Sequence, residues 1–241
     1  MSKLVMLTST LLVHAAIDLS DVEDYIGALN LLRRAIAIDP NNAQAYFERA
    51  MVMLNLGRNA DAIADFDRAL SINSEFPGAY YWRSCALTSL GNHQKAADDR
   101  LRDLYLHCNG SDKTMGINPQ KWVDCAEAFI NAGNSQKARE LLEDYFDLYA
   151  GKVTSYVCFE TSPMRLLASL LIQSGDSAQA CELAKRAYSS NYQCPADILT
   201  YATALESSGN LVDARRTCAE ALEANAQLPG AIDLYERLAN T

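Results

Sequence analysis

The chain has 241 residues, of which 49% are hydrophobic and 21% are charged, a composition typical of a globular protein and not of a disordered one. Only 11 glycines and 6 prolines occur, which disfavours a sandwich or barrel with many tight turns. The formal net charge is −9, so nucleic acid and anionic lipid are disfavoured as main ligands, because phosphate binding needs clustered cations.

The first segment, residues 1–16, has two interpretations. An apolar stretch from Leu4 to Val13 follows a single cation and precedes Ala15, a pattern typical of a secretory signal peptide. Thr8-Ser9-Thr10 interrupts this stretch, and the same residues also fit a repeat that continues along the chain. We therefore expect a cytoplasmic protein without a membrane partner, and a periplasmic or secreted protein is the alternative.

A repeat begins in this first segment and runs through the chain. Gly57 and Gly91 lie 34 residues apart, as do Gly175 and Gly209, and Gly133 lies 42 residues from both Gly91 and Gly175. Five residues after these glycines stand Ala62, Ala96, Ala138, Ala180 and Ala214. Seven residues before them stand Ala50, Ser84, Ala126, Ala168 and Ala202. In the first unit, Glu23 occupies the place of the glycine.

Apolar residues recur at i, i+4 and i+7 around these positions, which predicts two helices of about 14 residues in each unit. The glycine ends the first helix, where a left-handed residue is needed. The small residues are expected where the paired helices approach most closely. One helix pair cannot bury both of its faces, so the units are predicted to stack into an all-α solenoid.

The period, the order of an aromatic, a small residue, glycine and alanine, and the helix-closing Ile38-Asp39-Pro40-Asn41-Asn42 resemble the tetratricopeptide repeat family. The resemblance covers residues 9–239. It implies a right-handed α-α superhelical solenoid of six helix pairs, followed by a C-terminal capping helix that begins after Pro229.

Two insertions interrupt the regular period. The expected domains are an N-terminal array over 1–106, an insertion loop over 107–118 and a C-terminal array over 119–241. Arg100 and Asp103 replace apolar or small residues just before this loop, so we expect an irregular stack there. The second insertion, 151–159, is expected to form an extended helix and a loop, with a strand as the alternative.

Arginine and aspartate occur together inside the repeat. Arg49 and Arg83 stand eight residues before their glycines, and Asp65 and Asp99 follow them by sixteen residues. The other units have neither residue at these places. We predict partly buried ion pairs Arg49–Asp65 and Arg83–Asp99, and independent surface charges are the alternative.

Residues for catalysis or metal binding are scattered. His14, His93 and His107 lie on separate predicted elements, and none is paired with a nucleophile. The seven cysteines show no CxxC spacing, and no phosphate-binding loop occurs. We expect a protein that is not an enzyme and has no cofactor and no metal site.

The resemblance also implies a concave groove lined by the first helices. The partner-binding residues that it places there are Val13, Ile17, Phe47, Glu48, Met51, Tyr81, Trp82, Asp124 and Glu127. Phe47, Met51, Tyr81 and Trp82 are not required by the packing of the repeat and are typical interface anchors. The alternative is that the curl of the solenoid or the terminal helix covers them. The acidic members suit a partner in which Lys or Arg follows an apolar stretch.

One function of the family is excluded by these residues. Some family members bind the C-terminal carboxylate of heat-shock proteins through Lys, Asn and Arg on three first helices. The matching places here hold Val13, Ile17, Glu48, Gly78 and Trp82. We therefore expect an adaptor, scaffold or chaperone-like module that binds another protein or peptide segment. The alternatives are an immunity or inhibitor protein that neutralises a cognate enzyme or toxin, and a periplasmic member of the family.

Overall fold

The computed structural model describes residues 3–108, 118–149, 161–189 and 194–240, and every regular element in these ranges is an α-helix. The helices are α1 Lys3–Asp21, α2 Tyr25–Ile38, α3 Ala43–Asn55, α4 Asn59–Ile72, α5 Ala79–Ser89, α6 His93–Cys108, α7 Pro119–Asn131, α8 Ser135–Tyr149, α9 Thr161–Ser174, α10 Ser177–Tyr188, α11 Pro195–Ser207, α12 Leu211–Ala224 and α13 Ala231–Ala239. The insertion predicted at 151–159 lies outside the described residues. So does most of the loop predicted at 107–118, since α6 continues to Cys108.

Consecutive helices pack as six pairs, from α1 with α2 to α11 with α12, and α13 follows the last pair. This confirms the predicted all-α fold of helix pairs with a final helix. The chain divides into two compact units, Met1–Gly116 and Ile117–Thr241. The first unit contains α1 to α6, and the second contains α7 to α13.

The turn inside each pair requires a left-handed residue, as the sequence predicts. Gly57 has φ of 72° and connects α3 to α4. In the first pair Glu23 adopts φ of 62° at the same place, which costs a residue with a side chain roughly 1–2 kcal/mol. Asp24 follows it and accepts a hydrogen bond from the Gly27 amide at 2.9 Å, so the start of α2 is capped despite the strained turn.

The small residues of the repeat lie at the helix contacts, which confirms their predicted role. Each residue five positions after or seven positions before a turn glycine is at most 2% exposed. A larger side chain there would push the paired helices apart, and such overpacking typically costs about 1–3 kcal/mol.

Helix α1 is part of the first pair and is also long and apolar. Ser9 and Val13 are buried, and the Ser9 hydroxyl donates a hydrogen bond to the Ala35 carbonyl at 3.0 Å. The Asn42 side-chain amide donates to the Ser9 hydroxyl oxygen at 2.9 Å, so α1 is connected to both α2 and α3. By length and composition the segment Leu4–Asp21 is also sufficient to cross a bilayer, and 17% of it is buried.

Helix α13 covers the end of the last pair, as predicted. Leu234 and Leu238 are buried against α11 and α12. The Arg237 guanidinium binds the Glu206 carboxylate of α11 at 2.9 Å. The outward side of α13 carries exposed Asp233 and Glu236 beside Ile232, which is 50% exposed.

Candidate functional site

Successive first helices of the pairs pack against each other inside each unit. Helix α3 contacts both α1 and α5, and α9 contacts both α7 and α11. The backbones of successive second helices, such as α2 and α4 or α8 and α10, do not approach each other closely within the described ranges. Each unit therefore has a closed side made of first helices, named the first-helix face, and an open side with crevices between second helices, named the second-helix face.

Helix α3 places two of the predicted anchors at the centre of the first-helix face of the first unit. Phe47 is half-buried and packs against Phe66, at 5.7 Å between ring centroids, and against Phe76, at 4.9 Å. Met51 is also half-buried against the same core. The expectation that the packing of the repeat does not require Phe47 is therefore wrong, because this ring joins α3 to α4 and to the next turn.

The residues predicted to line the groove on α1 are more deeply buried than expected. Val13 is only 1% exposed and belongs to the core between α1, α2 and α3, so it cannot line a groove. Val13 and Phe47 stand ten residues before their turn residues, and core packing covers this position fully in α1 and partly in α3. Ile17, one turn further along α1, is half-buried and packs against the same core.

Helix α5 carries the most accessible aromatic group of the predicted site. Trp82 is 37% exposed, and its ring makes an edge contact with Tyr81 at 5.2 Å between centroids. The guanidinium carbon of Arg100 lies 4.4 Å from the centroid of the Tyr81 ring, a cation–π distance. Tyr81 is thus held from one side by α6, and Trp82 projects beside it as a rigid apolar surface.

An acidic pair lies next to these apolar groups. Burial raises the pKa of Glu48 above its ordinary value, a hydrogen bond from the Gln44 side chain lowers it in part, and the nearby charge of Asp21 raises it further. Both carboxylates are therefore stabilised by a cation brought next to them. The chemistry at the centre of this face is apolar surface beside uncompensated negative charge.

The two remaining predicted residues belong to the second unit. Asp124 is half-buried on α7 and accepts a hydrogen bond from the Gln120 side chain at 2.7 Å. Glu127 is exposed one turn later on the same side of the helix. Together they form an acidic strip on α7.

Both predicted ion pairs are confirmed, and each lies on the second-helix face of the first unit. Arg49 donates two hydrogen bonds of 2.6 Å to the two oxygens of Asp65. Arg83 donates in the same way to Asp99, at 2.7 and 2.6 Å, and its remaining nitrogen reaches Asp67 of α4 at 2.6 Å. Arg83 therefore connects two neighbouring pairs, a contact that the sequence pattern did not reveal.

The electrostatics of these pairs follow from burial. Hydrogen bonding to Asp65 raises the pKa of Arg49 above its ordinary value. Burial raises the pKa of the Asp99 carboxyl, and its pairing with Arg83 offsets part of that effect. The buried carboxylate is thus costly without its arginine, which explains why the two residue types occur together.

A further ion pair in the second unit was not anticipated. Arg165 of α9 donates a hydrogen bond of 2.9 Å to Asp197, whose side chain is fully buried at the start of α11. Asp197 stands directly after Pro195-Ala196, in a first turn where acidic residues are common. That local signal does not distinguish a helix-capping charge from a buried partner of Arg165.

The comparisons with known proteins agree with this geometry. Two family models, both described as tetratricopeptide repeat, match residues 31–64 and 54–105. The crystal structure of YrrB, described as a TPR protein with an unusual peptide-binding site, matches with a TM-score of 0.63 and 14% identity, over 87% of this chain and 98% of that chain. PilF of Pseudomonas aeruginosa matches with a TM-score of 0.59 and 16% identity, over 97% and 98% of the two chains.

These findings define a helix-pair repeat scaffold of the kind that mediates protein–protein interactions and is typically not catalytic. The chain contains tetratricopeptide repeats, which the family models match within residues 31–105. At such low identity the structural likeness shows the fold alone, and the sites of YrrB and PilF are not transferred to this chain.

Curated relatives share part of the sequence. DnaJ homolog subfamily C member 3 of Mus musculus is 24% identical over 163 residues, which cover 64% of this chain and 30% of that protein. The Tetratricopeptide repeat and J domain-containing co-chaperone DNJ1 of Fusarium oxysporum f. sp. lycopersici is 42% identical over 125 residues, 44% of this chain and 24% of that protein. The matched region thus spans less than a third of each of these relatives.

Proposed function

We propose that the chain is a non-catalytic adaptor that binds a segment of a partner protein on the first-helix face of its first unit. Trp82 is the observation that carries this proposal. It is 37% exposed beside Tyr81 on α5, and α5 contacts α3, which carries half-buried Met51 and Phe47. Large rigid aromatic groups of this kind are enriched among the residues that dominate interface energies.

The chemistry of the partner follows from the groups beside Trp82. An apolar side chain of the partner packs on Trp82 and Met51, and a lysine or arginine of the same segment approaches Glu48 and Asp21. Burial and the neighbouring carboxylate raise the pKa of Glu48, so a bound cation is favourable at this place. A C-terminal carboxylate is repelled here, which disfavours the heat-shock-protein tail as the ligand.

A chaperone-like role is the form of adaptor that the relatives favour. The protein of Fusarium oxysporum carries the description of a tetratricopeptide repeat and J domain-containing co-chaperone, and the match covers 24% of it. Under this proposal the first-helix face holds an apolar and basic segment of another protein. Any wider activity of those relatives remains a proposal for this chain as well.

We also propose that residues 1–16 are retained and that the protein works in the cytoplasm. Ser9 and Val13 are buried within the first helix pair, and cleavage near Ala15 would remove both. Sequencing the N-terminus of the protein from its source decides this, because a mature chain that begins at Ala15 or Ala16 would refute it.

The proposed function is tested by affinity capture from a lysate of the source with the wild type, Trp82→Ala and Tyr105→Ala. Tyr105 is a matched control, because it is an exposed aromatic residue of the same unit, on α6. At least one captured protein should be lost with Trp82→Ala and kept with Tyr105→Ala. The purified partner should then bind Trp82→Ala at least about tenfold more weakly by calorimetry.

Circular dichroism of both variants controls for folding. If Trp82→Ala and Tyr105→Ala retain the same proteins as the wild type, the first-helix face of the first unit is not the binding site. The proposal is then refuted.

A further inference from the structure

The second-helix face of the second unit contains an apolar crevice between α8 and α10. Its floor is formed by Leu167 and Leu171 of α9, both buried, and its volume is about 260 Å³. Phe146 of α8 and Leu183 of α10 line its sides. This α8–α10 crevice is open to solvent, because the backbones of the two second helices do not approach each other closely within the described residues. At one end, Arg139 of α8 pairs with Asp176, directly before α10, at 2.5 Å.

The equivalent crevice of the first unit has a different chemistry. It lies between α4 and α6 and has a similar volume, about 270 Å³. Arg83 and Asp99 stand eight residues before and after Gly91. Arg83 of α5 donates two hydrogen bonds to Asp99 of α6 and one to Asp67 of α4, so it links the two sides of this crevice. The residues eight before and after Gly175 are Leu167 and Leu183. The same position of the repeat is therefore charged and internally paired in one unit, and apolar and unbridged in the other.

The remaining crevice of the second unit is closed by aromatic groups. Between α10 and α12, the rings of Tyr188 and Tyr201 lie 5.1 Å apart, and the Tyr188 hydroxyl donates a hydrogen bond to Glu220 at 2.8 Å. Tyr201 stands eight residues before Gly209, at the position of Leu167. Inside the second unit, the open apolar position is thus specific to the α8–α10 crevice.

The rim of the α8–α10 crevice carries three carboxylates, Glu143, Asp147 and Glu182, and one cation, Arg186, so its net charge is negative. Glu143 lies on the rim and pairs with Arg139 at 2.8 Å. Asp147 and Glu182 are exposed on opposite sides of the crevice, and neither forms an ion pair in the described part of the chain. A ligand with an apolar side chain for the floor and a cation on each side would match both features.

We propose that the α8–α10 crevice is a second protein-docking site, which binds a basic amphipathic helix of a partner protein. Leucine or phenylalanine side chains of that helix enter the crevice over Leu167 and Leu171. Lysine or arginine side chains of the same helix pair with Asp147 and Glu182. This site belongs to the second unit and the proposed adaptor surface to the first, and neither proposal depends on the other.

The test uses the full chain and a fluorescein-labelled synthetic helix of about 16 residues, with leucines at i, i+3, i+4 and i+7 and lysines between them. Two other peptides serve as probes, one with glutamate in place of lysine and one with the same composition in scrambled order. Fluorescence anisotropy should show binding of the first peptide, and binding at least about tenfold weaker for the other two.

The variant that closes the crevice is taken from the chain itself. Leu167→Arg combined with Leu183→Asp installs the bridge that Arg83 and Asp99 form at the same position of the first unit, so the repeat is known to accommodate it. It should weaken binding of the leucine–lysine helix by at least about tenfold. If this double variant fails to fold, the surface variants described next decide the proposal.

The surface variants test the rim. Asp147→Lys and Glu182→Lys change exposed side chains and should each weaken binding severalfold, with a smaller effect at high salt. Glu223→Lys, an exposed site on α12, is the matched charge control and should bind within about twofold of the wild type. Trp82→Ala should also bind as the wild type does, which separates this site from the proposed adaptor surface.

Four results would overturn the proposal. One is equal binding of the three peptides, and a second is unchanged binding by both rim variants. A third is a wild-type dimer that Asp147→Lys and Glu182→Lys convert to a monomer, since a second copy would then be the occupant. A fourth is a set of nuclear Overhauser contacts, in the free chain, between the Leu183 methyl groups and residues 150–160, since the chain would then cover its own crevice.

Discussion

The Arg49–Asp65 pair allows a sharp test of what the charged positions contribute to the fold. The Asp65 side chain is 9% exposed and accepts two hydrogen bonds from Arg49, whose own side chain is 20% exposed. Replacing Asp65 by leucine leaves a partly buried guanidinium without its carboxylate. Removing one partner of a buried pair costs about 3–5 kcal/mol, and we expect the lower end because Arg49 retains some solvent and lies 5.6 Å from the Tyr46 ring.

The double variant Arg49→Leu with Asp65→Leu should behave differently. Leu167 and Leu183 show that the repeat accommodates two leucines at these positions. Because burial of both charges is costly, replacement of the whole pair by apolar groups is often neutral or stabilising. We therefore expect the double variant to lie within about 1 kcal/mol of the wild type, and the single variant Asp65→Leu to lose about 3 kcal/mol, roughly 10 °C in Tm.

The assay must report on the first unit alone. The chain has two tryptophans, Trp82 in the first unit and Trp122 in the second. In a Trp122→Phe background, the fluorescence of Trp82 follows the unfolding of the first unit in urea. A cost below about 1 kcal/mol for Asp65→Leu, or an equal cost for the single and the double variant, would refute the reasoning.

The remaining predictions concern single positions of the first unit. Glu23→Gly should stabilise the unit by about 1 kcal/mol, because it relieves a left-handed residue, and Gly57→Ala should destabilise it by a similar amount at the matching turn. Equal effects of both changes in urea unfolding would contradict this account. Glu48→Gln should raise the free energy of unfolding at neutral pH by less than about 1 kcal/mol. The pKa of Glu48 in the folded chain is raised above 4.5. Its protonated carboxyl therefore stabilises the fold most below that pH, and this stabilisation is lost as the pH rises through the folded pKa. The gain should therefore vanish in unfolding curves below pH 4.5, and a gain that persists there would contradict the assignment. Ser9→Ala should cost about 1–3 kcal/mol in thermal unfolding, since the hydroxyl is buried between Ala35 and Asn42, and an unchanged midpoint would show that α1 is not held by this contact.

The fold was predictable from the sequence because its determinants recur at fixed positions. A small residue is needed wherever two helices approach closely, so Ala50 and Ala62 are buried for the same reason as their counterparts in the other repeats. The ion pairs were predictable because Arg49 and Asp65 occur together or not at all. These are local rules repeated along the chain, and one sequence contains several copies of each.

The candidate site was only partly predictable, because it depends on contacts between neighbouring helix pairs. The period places Val13, Phe47 and Tyr81 at one position of the first helix, yet Val13 is buried and Phe47 half-buried under contacts from other helices. The extent to which the next helix covers a position depends on packing between neighbouring helix pairs, which the period alone does not specify. For the same reason, Leu167 and Leu183 were visible in the sequence as exceptions, while the crevice that they line was not.

The two faces differ in how they can bind a partner. On the first-helix face, successive helices already contact each other, so a ligand can reach only side chains that project from a closed surface, such as Trp82. On the second-helix face, the helices leave crevices, and the residues eight before and after the turn glycine decide whether a crevice is bridged, as by Arg83 and Asp99, or left apolar, as by Leu167 and Leu183. Under the proposed docking site, substitution of that one pair of positions opens or closes the crevice without any change to the alanines that hold the helix pairs together.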